Sequence, residues 1–250
     1  MRGQASQAEA RGAAPNADRM EKLSLVIQNR VQLRKEEIIK AAERVFARKG
    51  LHEATISEIA SQAGVSEGTI YEHFSNKDNL LFSIPELFTR NMGEFGKFHL
   101  RLIRGAANKL RAYIYLYMWV MQDNPDYATV SLLHLKGNLK FRKTEGFRLV
   151  RQWYRLAADI IAEGVASGEF RNDVDPYIIR SILMGAADQV TANWLLSDRK
   201  RDLLDAVDPI FDTIMEGVLG KTPPSAAKWS AARRREPLGP IPGMPAAEST

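Results

Sequence analysis

Residues Thr55 to Phe74 read TISEIASQAGVSEGTIYEHF, and their spacing decides the fold. Ile56, Ile59 and Ala60 recur at i, i+3 and i+4, the apolar face of a short helix. Ala63-Gly64-Val65 breaks that helix, because Gly64 takes a positive φ at little steric cost and lets the chain turn. Ser66 then stands at an N-cap position, its hydroxyl placed to accept from an orphan N–H of the next helix. Ile70 and Phe74 give the second helix a side that docks on the first. The opposite side carries Gly68, Thr69, Tyr71 and Glu72, with Glu67 and His73 at its margins. A helix anchored on one face, with small hydrogen-bonding residues on the other, is what entry into a DNA major groove requires.

The flanks extend this unit. Ile38, Ile39, Ala42, Val45 and Phe46 form a stripe that predicts a helix over about 32–49, ended by Gly50. Thr55 and Glu58 have the spacing of a capping box. After Phe74, Ser75 is expected to cap a fourth helix at Asn76-Lys77-Asp78. Pro85 lies inside it, where a proline loses a backbone bond and clashes one turn back. The fourth helix is therefore expected to kink near Ile84, or to restart there with Ser83 as cap.

Three strings agree at once: IIKAAERVFARKG, T-I-x-x-I-A-x-x-A-G-V-S-x-G-T-I-Y-x-H-F and N-K-D-N-L-L. From Arg34 to Leu81 they resemble the helix-turn-helix of the TetR family of bacterial transcriptional regulators. The resemblance implies that Thr55, Ser66, Thr69, Tyr71, His73 and Lys77 reach the duplex. The chemistry is independently suitable. The Thr55 and Ser66 hydroxyls fit phosphate oxygens, and Thr69 fits a base edge and a thymine methyl. Tyr71 and His73 can donate to phosphates, and Lys77 adds a charge. Gly68 gives up ~1 kcal/mol of helix propensity but permits close approach to the groove floor. Glu67 and Glu72 accept from a cytosine amine or point to water, the second being favoured. Lys22, Arg30, Arg34 and Lys35 lie near phosphates or form a solvated face.

Beyond Glu86 the texture is helical without strand alternation. Helices are expected to about Phe98, then over 106–122, 125–136, 144–167, 176–196 and 199–219. Gly168 and Gly220 mark helix ends. The fold class is all-α. Residues 1–30 read as a disordered tail and lead-in, 31–80 as the DNA-binding domain, 81–220 as a larger helical ligand-binding and dimerisation domain, and 221–250 as a proline-rich disordered tail. Met20 is an alternative translation start to Met1.

One helix-turn-helix unit reads one half-site, so a homodimer on a palindromic double-stranded operator is expected. The last two helices are its expected face: Tyr177, Ile178, Ile182, Leu183, Gly185, Ala186, Val190 and Trp194, then Leu203, Leu204, Val207, Ile210, Phe211, Ile214 and Met215. The middle helices crowd aromatics and methionines. Tyr113, Tyr117, Met121, His134 and Trp153 are the candidate lining of a pocket for an apolar effector, or plain core. Residues 160–196 are similar to the C-terminal part of TetR-family repressors of fatty-acid degradation, sharing Gly168, Gly185, Asp188 and Trp194. That similarity implies a long-chain acyl-CoA effector. Arg101, Arg104, Lys140, Arg142 and Lys143 are available to its charged head.

Composition bounds the alternatives. The 250 residues are 45% hydrophobic, enough for a sizeable core, and carry a net charge of +5. There is no cysteine, hence no disulfide or thiolate chemistry. The longest apolar run, Ala112 to Met121, is well short of the ~20 residues that span a bilayer, so no membrane role and a cytoplasmic location are expected. The four histidines are scattered, with no metal-ligand spacing, phosphate loop or nucleophile motif. No catalytic residue, metal or cofactor is therefore assigned, and the chain reads as a regulator, not an enzyme. A local repressor of a drug-efflux operon and a DNA binder that takes no ligand are the alternatives.

Overall fold

The computed structural model describes residues 5–197 and 199–219. Among them every regular element is helical, and Phe170 and Leu219 form one isolated antiparallel bridge. Four helices build the first unit: α1 (Ala5–Glu53), α2 (Ile56–Ala63), α3 (Glu67–His73) and the start of α4 (Lys77–Arg101). Ile38, Ala42, Val45 and Phe46 of α1 are fully buried with Ile59, Ile70, Leu80 and Leu81. The stripe read from the sequence is thus the face on which α2, α3 and α4 close.

The capping chemistry matches its expected logic at two of three starts. The Thr55 side chain accepts from the Glu58 N–H while the Glu58 carboxylate accepts from the Thr55 N–H, the reciprocal box. Ser66 accepts from the Thr69 N–H at 3.1 Å. Gly64 turns the chain at φ 65°, ψ 36°. The third start differs: Asn76, not Ser75, caps α4, accepting from the Asn79 N–H at 2.8 Å. A carboxamide oxygen at that position reaches the amide, and the Ser75 hydroxyl accepts from the Asn79 side chain instead.

Two expectations about helix length are corrected. Helix α1 starts at Ala5, so residues 5–19 are helical where a disordered tail was expected, and the short helical lead-in expected over 23–31 is part of the same helix. The segment lacks an apolar period to pack with, yet it is rich in Ala, Gln, Glu and Arg, which favour the helix locally. Residues 24–34 are exposed throughout, so burial does not hold this stretch. Helix α4 runs through Pro85 without restarting, and the Ser83 hydroxyl donates to the Asn79 carbonyl, one turn back, instead of capping. Residues 1–4, Gly220 and the tail 221–250 lie outside the described residues.

The second unit holds the rest of α4 with α5 (Ala106–Asp123), α6 (Pro125–Thr129), α7 (Glu145–Ala166), α8 (Pro176–Leu196) and α9 (Val207–Val218). The helix expected over 125–136 is divided: α6 gives way to a π-helical turn over Val130–Leu135. At the junction the Thr129 hydroxyl donates to the Pro125 carbonyl, a back-bond of the kind that bends helices. The helix expected over 199–219 begins later. A 3-10 turn at Leu203–Ala206, capped by Asp202, precedes α9, and Pro209 occupies its first turn, where a missing N–H costs least.

The expected dimer face separates into two sets. Leu183, Leu203, Val207, Ile214 and Met215 are buried within the single chain and serve its own core. Tyr177, Ile178 and Ile182 are 64%, 49% and 52% exposed, and Ile210 and Phe211 are half-buried. The second set therefore leaves apolar side chains exposed on α8, while Ile210 and Phe211 of α9 pack in part against the core.

Candidate DNA-reading face and effector cavity

Helix α3 is held from one side. Ile70 is fully buried and Phe74 nearly so, whereas Tyr71 is 54% exposed and Ser66, Glu67, Gly68 and Glu72 are exposed. Thr69 is half-buried, its hydroxyl 2.9 Å from that of Ser66. An added Cβ at Gly68 would meet only the Ser66 hydroxyl, at 3.6 Å. Nothing among the described residues therefore requires glycine there, and Gly68 is exposed. His73 is half-buried, its ring 6.2 Å from that of Phe74. Thr55 is exposed at the start of α2. Thr55, Ser66, Gly68 and Tyr71 are thus exposed and Thr69 and His73 half-buried, with the Thr55 and Ser66 hydroxyls engaged by the backbone N–H groups of Glu58 and Thr69.

Lys77 is placed differently from the simple charge contact expected of it. Its ammonium donates to the Ala54 carbonyl at 2.9 Å and the His52 carbonyl at 3.4 Å. It thereby satisfies the last carbonyls before α2 and ties the start of α4 to the end of α1. Lys49 pairs with Glu58, and that bond, with the Thr55 N–H, holds the Glu58 carboxyl below its usual range.

The second unit encloses a cavity of about 540 Å³. This lies within the 300–1,000 Å³ typical of small-molecule sites. Helix α4 contributes Pro85, Phe88, Met92 and Gly93; α5 contributes Leu116, Tyr117, Val120 and Met121; the π-helical turn adds Ser131, Leu132 and Leu135; α7 adds Val150, Trp153 and Tyr154. Phe88 stacks on Tyr127 with ring centres 3.7 Å apart. Among the described residues the one carboxylate on the wall is Asp188 of α8, 5% exposed. It accepts from the Tyr117 hydroxyl and pairs with the Lys136 ammonium at 2.9 Å. Burial first, then the neighbouring Tyr154 and Asp188, pushes the Tyr117 phenol up, and burial followed by Asp188 does the same to Tyr154, so the Tyr117 hydroxyl stays a neutral donor to Asp188.

Cations gather where the wall meets solvent. Arg142 and Arg151 are exposed, Arg180 is half-buried, and all three line the cavity. Arg180 lies over the Tyr177 ring at 4.7 Å and donates to Ser181, while Arg142 lies 5.9 Å from the Phe147 ring centre. None of the three forms an ion pair with a carboxylate among the described residues.

Of the residues expected at a pocket, Tyr117, Met121 and Trp153 are on the wall. Tyr113 is not. It lies one turn earlier on α5, fully buried behind Trp153, stacked at 5.0 Å and donating to the Trp153 carbonyl. His134 is not either, because the turn that carries it directs its ring at α1, beside Gly50. Among the cations named for a charged head, only Arg142 borders the cavity, and Lys140 pairs with Asp78. Sequence reasoning missed Lys136, Arg151 and Arg180 as wall residues. It noted Asp188 only as a shared position, although a lone carboxylate inside the apolar run of α8 was a signal of a buried pair.

The comparisons with known proteins follow this division into two units. Residues 38–84 match the family model of bacterial regulatory proteins of the tetR family, and residues 88–217 match that of the YsiA-like protein, C-terminal region. This chain belongs to the TetR family. The regulator is 31% identical to the fatty acid metabolism regulator protein of Bacillus subtilis (strain 168) over 189 residues, 74% of this chain and 95% of that one. Its fold superposes on the crystal structure of FadR from Bacillus subtilis in complex with stearoyl-CoA with a TM-score of 0.69 at 28% identity, covering 73% of this chain and 98% of the other. FadR from Bacillus halodurans gives a TM-score of 0.67 at 27% identity, covering 73% and 98%. The TetR-type reading unit and the FadR-like helical domain are thus both present, and the chain is a DNA-binding transcriptional regulator. Among the described residues no helix is long and apolar enough to cross a membrane.

Proposed function

We propose that this TetR-family regulator is a homodimeric repressor of a palindromic operator, acting in the cytoplasm and released by a long-chain acyl-CoA. The observation that carries the reading is the cavity: an apolar interior with Arg142, Arg151 and Arg180 at its edge, without an ion pair to a carboxylate among the described residues. The volume suits an acyl tail and is too small for a whole acyl-CoA, so the nucleotide would stay outside, where three guanidiniums meet phosphate. The stearoyl-CoA complex of the relative supports the same ligand class. A cationic drug, the effector of the alternative efflux reading, would meet these arginines unfavourably.

The exposed stripe of Tyr177, Ile178 and Ile182 supports dimerisation through α8 and α9, which would set two copies of α3 at the spacing of successive major grooves. Thr55, Ser66, Gly68, Thr69, Tyr71 and His73 would face the duplex. Release is a shift of population: the ligand favours a dimer whose reading helices are wrongly spaced. Helix α4 is one carrier, since Pro85, Phe88, Met92 and Gly93 touch the cavity while Lys77 at its other end holds the reading unit. The test is capture of fragmented genomic DNA on the immobilised protein, followed by elution. Stearoyl-CoA eluting a sequence-defined set that CoA alone leaves bound is the expected result; identical elution by both refutes the effector assignment.

A further inference from the structure

The π-helical turn Val130–Leu135 has two working sides. Ser131, Leu132 and Leu135 face the cavity. His134 faces the opposite way, onto α1. Its Cε1 lies 3.4 Å from where a Cβ on Gly50 would stand. The Phe46 carbonyl, one turn earlier on α1, bonds the imidazole, and Nε2 is buried without a partner.

Gly50 is the compliant point of α1. Its φ of 71° and ψ of −179° break the helix, and only Leu51, His52, Glu53 and Ala54 follow before the α2 cap at Thr55. The carbonyls just beyond, of His52 and Ala54, are those that Lys77 holds. Contacts therefore run from Leu135 to His134, to Gly50 and Phe46, to the end of α1, and from there to both α2 and α4. A π turn is a rare, wide form of the helix that occurs mostly as a single turn and frequently at functional sites.

We propose that His134 is the positioning residue that transmits occupancy of the cavity to the DNA-reading unit. A ligand against Leu132 and Leu135 tightens the turn, and the imidazole moves the Gly50 joint and with it α2 and α3. The inference rests on the cavity being the effector site, and it adds a route through α1 beside the one through α4. A side chain that merely filled space would leave ligand response intact when replaced by one of similar bulk.

The test compares wild type, His134→Ala, His134→Leu and His134→Gln by anisotropy on a duplex enriched from the genomic capture. Each is titrated with DNA alone, with stearoyl-CoA alone, and with both. Wild type is expected to lose DNA affinity roughly 5–150-fold when saturated with stearoyl-CoA. His134→Ala and His134→Leu are expected to bind each ligand separately within about threefold of wild type and to lose most of that factor. His134→Gln, which keeps a donor for the Phe46 carbonyl, is expected to retain it. Should His134→Ala fail to fold, the Leu and Gln pair decides. Equal release by all variants overturns the inference while leaving the effector reading standing. Wild type that binds stearoyl-CoA yet keeps its DNA overturns both.

Discussion

Filling the cavity from α4 converts its shape into a chain-length measurement. Gly93 lies on the wall, and a Cβ there would have Thr89 Cγ2 at 3.9 Å as its nearest neighbour, an ordinary contact. Gly93→Leu therefore adds four carbons to the cavity without a clash in the backbone. It displaces room for about four methylenes of a tail, each worth ~0.8 kcal/mol when buried. Stearoyl-CoA should lose about 3 kcal/mol, roughly 150-fold in Kd. Lauroyl-CoA, six carbons shorter, should change less than about threefold. The helix itself should gain, because glycine within a helix is worse than leucine by ~0.8 kcal/mol, so the melting temperature should hold or rise. Calorimetry across a C12 to C18 series reads the effect, with Trp153 emission as a second signal from the wall. Equal weakening for every chain length, or none for any, refutes the placement of the tail.

Three further substitutions probe the reading unit and its junction. Gly68→Ala should leave the free protein as stable or up to ~1 kcal/mol more so, because no atom blocks the new methyl, yet weaken operator binding by about tenfold through lost approach; a gel-shift titration beside a thermal melt separates the two. Lys77→Ala should destabilise the unit by about 1 kcal/mol, because two carbonyls lose their donor, and weaken binding to all sequences alike with the salt slope unchanged, as a thermal melt and a salt titration will read. Glu43 of α1 is pushed up to about 7, by burial first and by Asp126 of α6 second. Its folded form therefore holds the proton more tightly than the unfolded chain, and this contribution to stability is lost as pH rises from about 4.5 through 7. Glu43→Gln should be more stable than wild type at pH 8, by an upper bound of about 3 kcal/mol, and should lose that advantage at pH 5; melts at both values check the sign.

Much of this was legible because it is local. The offsets of Ile59, Gly64, Ser66 and Ile70 are dictated by helix period, turn conformation and capping, which act over a few residues. The start of α8 at Pro176 behind Asp175 was readable for the same reason. What sequence could not place depends on three-dimensional meeting. Tyr113 and Tyr117 share a helix face in projection, yet one stacks behind Trp153 and the other meets Asp188, 71 residues away. His134 looked like a polar handle for a ligand, and only the π turn sends it to α1 instead. Arg151 and Arg180 carry no local signal in the sequence, and only the packing of α7 and α8 brings them to one opening. Helix α1 extends because local propensity competes with nothing there, which a search for apolar periodicity does not detect.

The claim on which the account rests is that one free energy couples the groove-reading helix to the cavity. It is measured most directly by closing a cycle on the wild-type protein: duplex affinity with and without saturating stearoyl-CoA, and stearoyl-CoA affinity with and without saturating duplex. Linkage requires the same factor from both directions. Matching losses within the roughly 5–150-fold range are expected, and a factor of one on both sides would mean that helix and cavity are uncoupled.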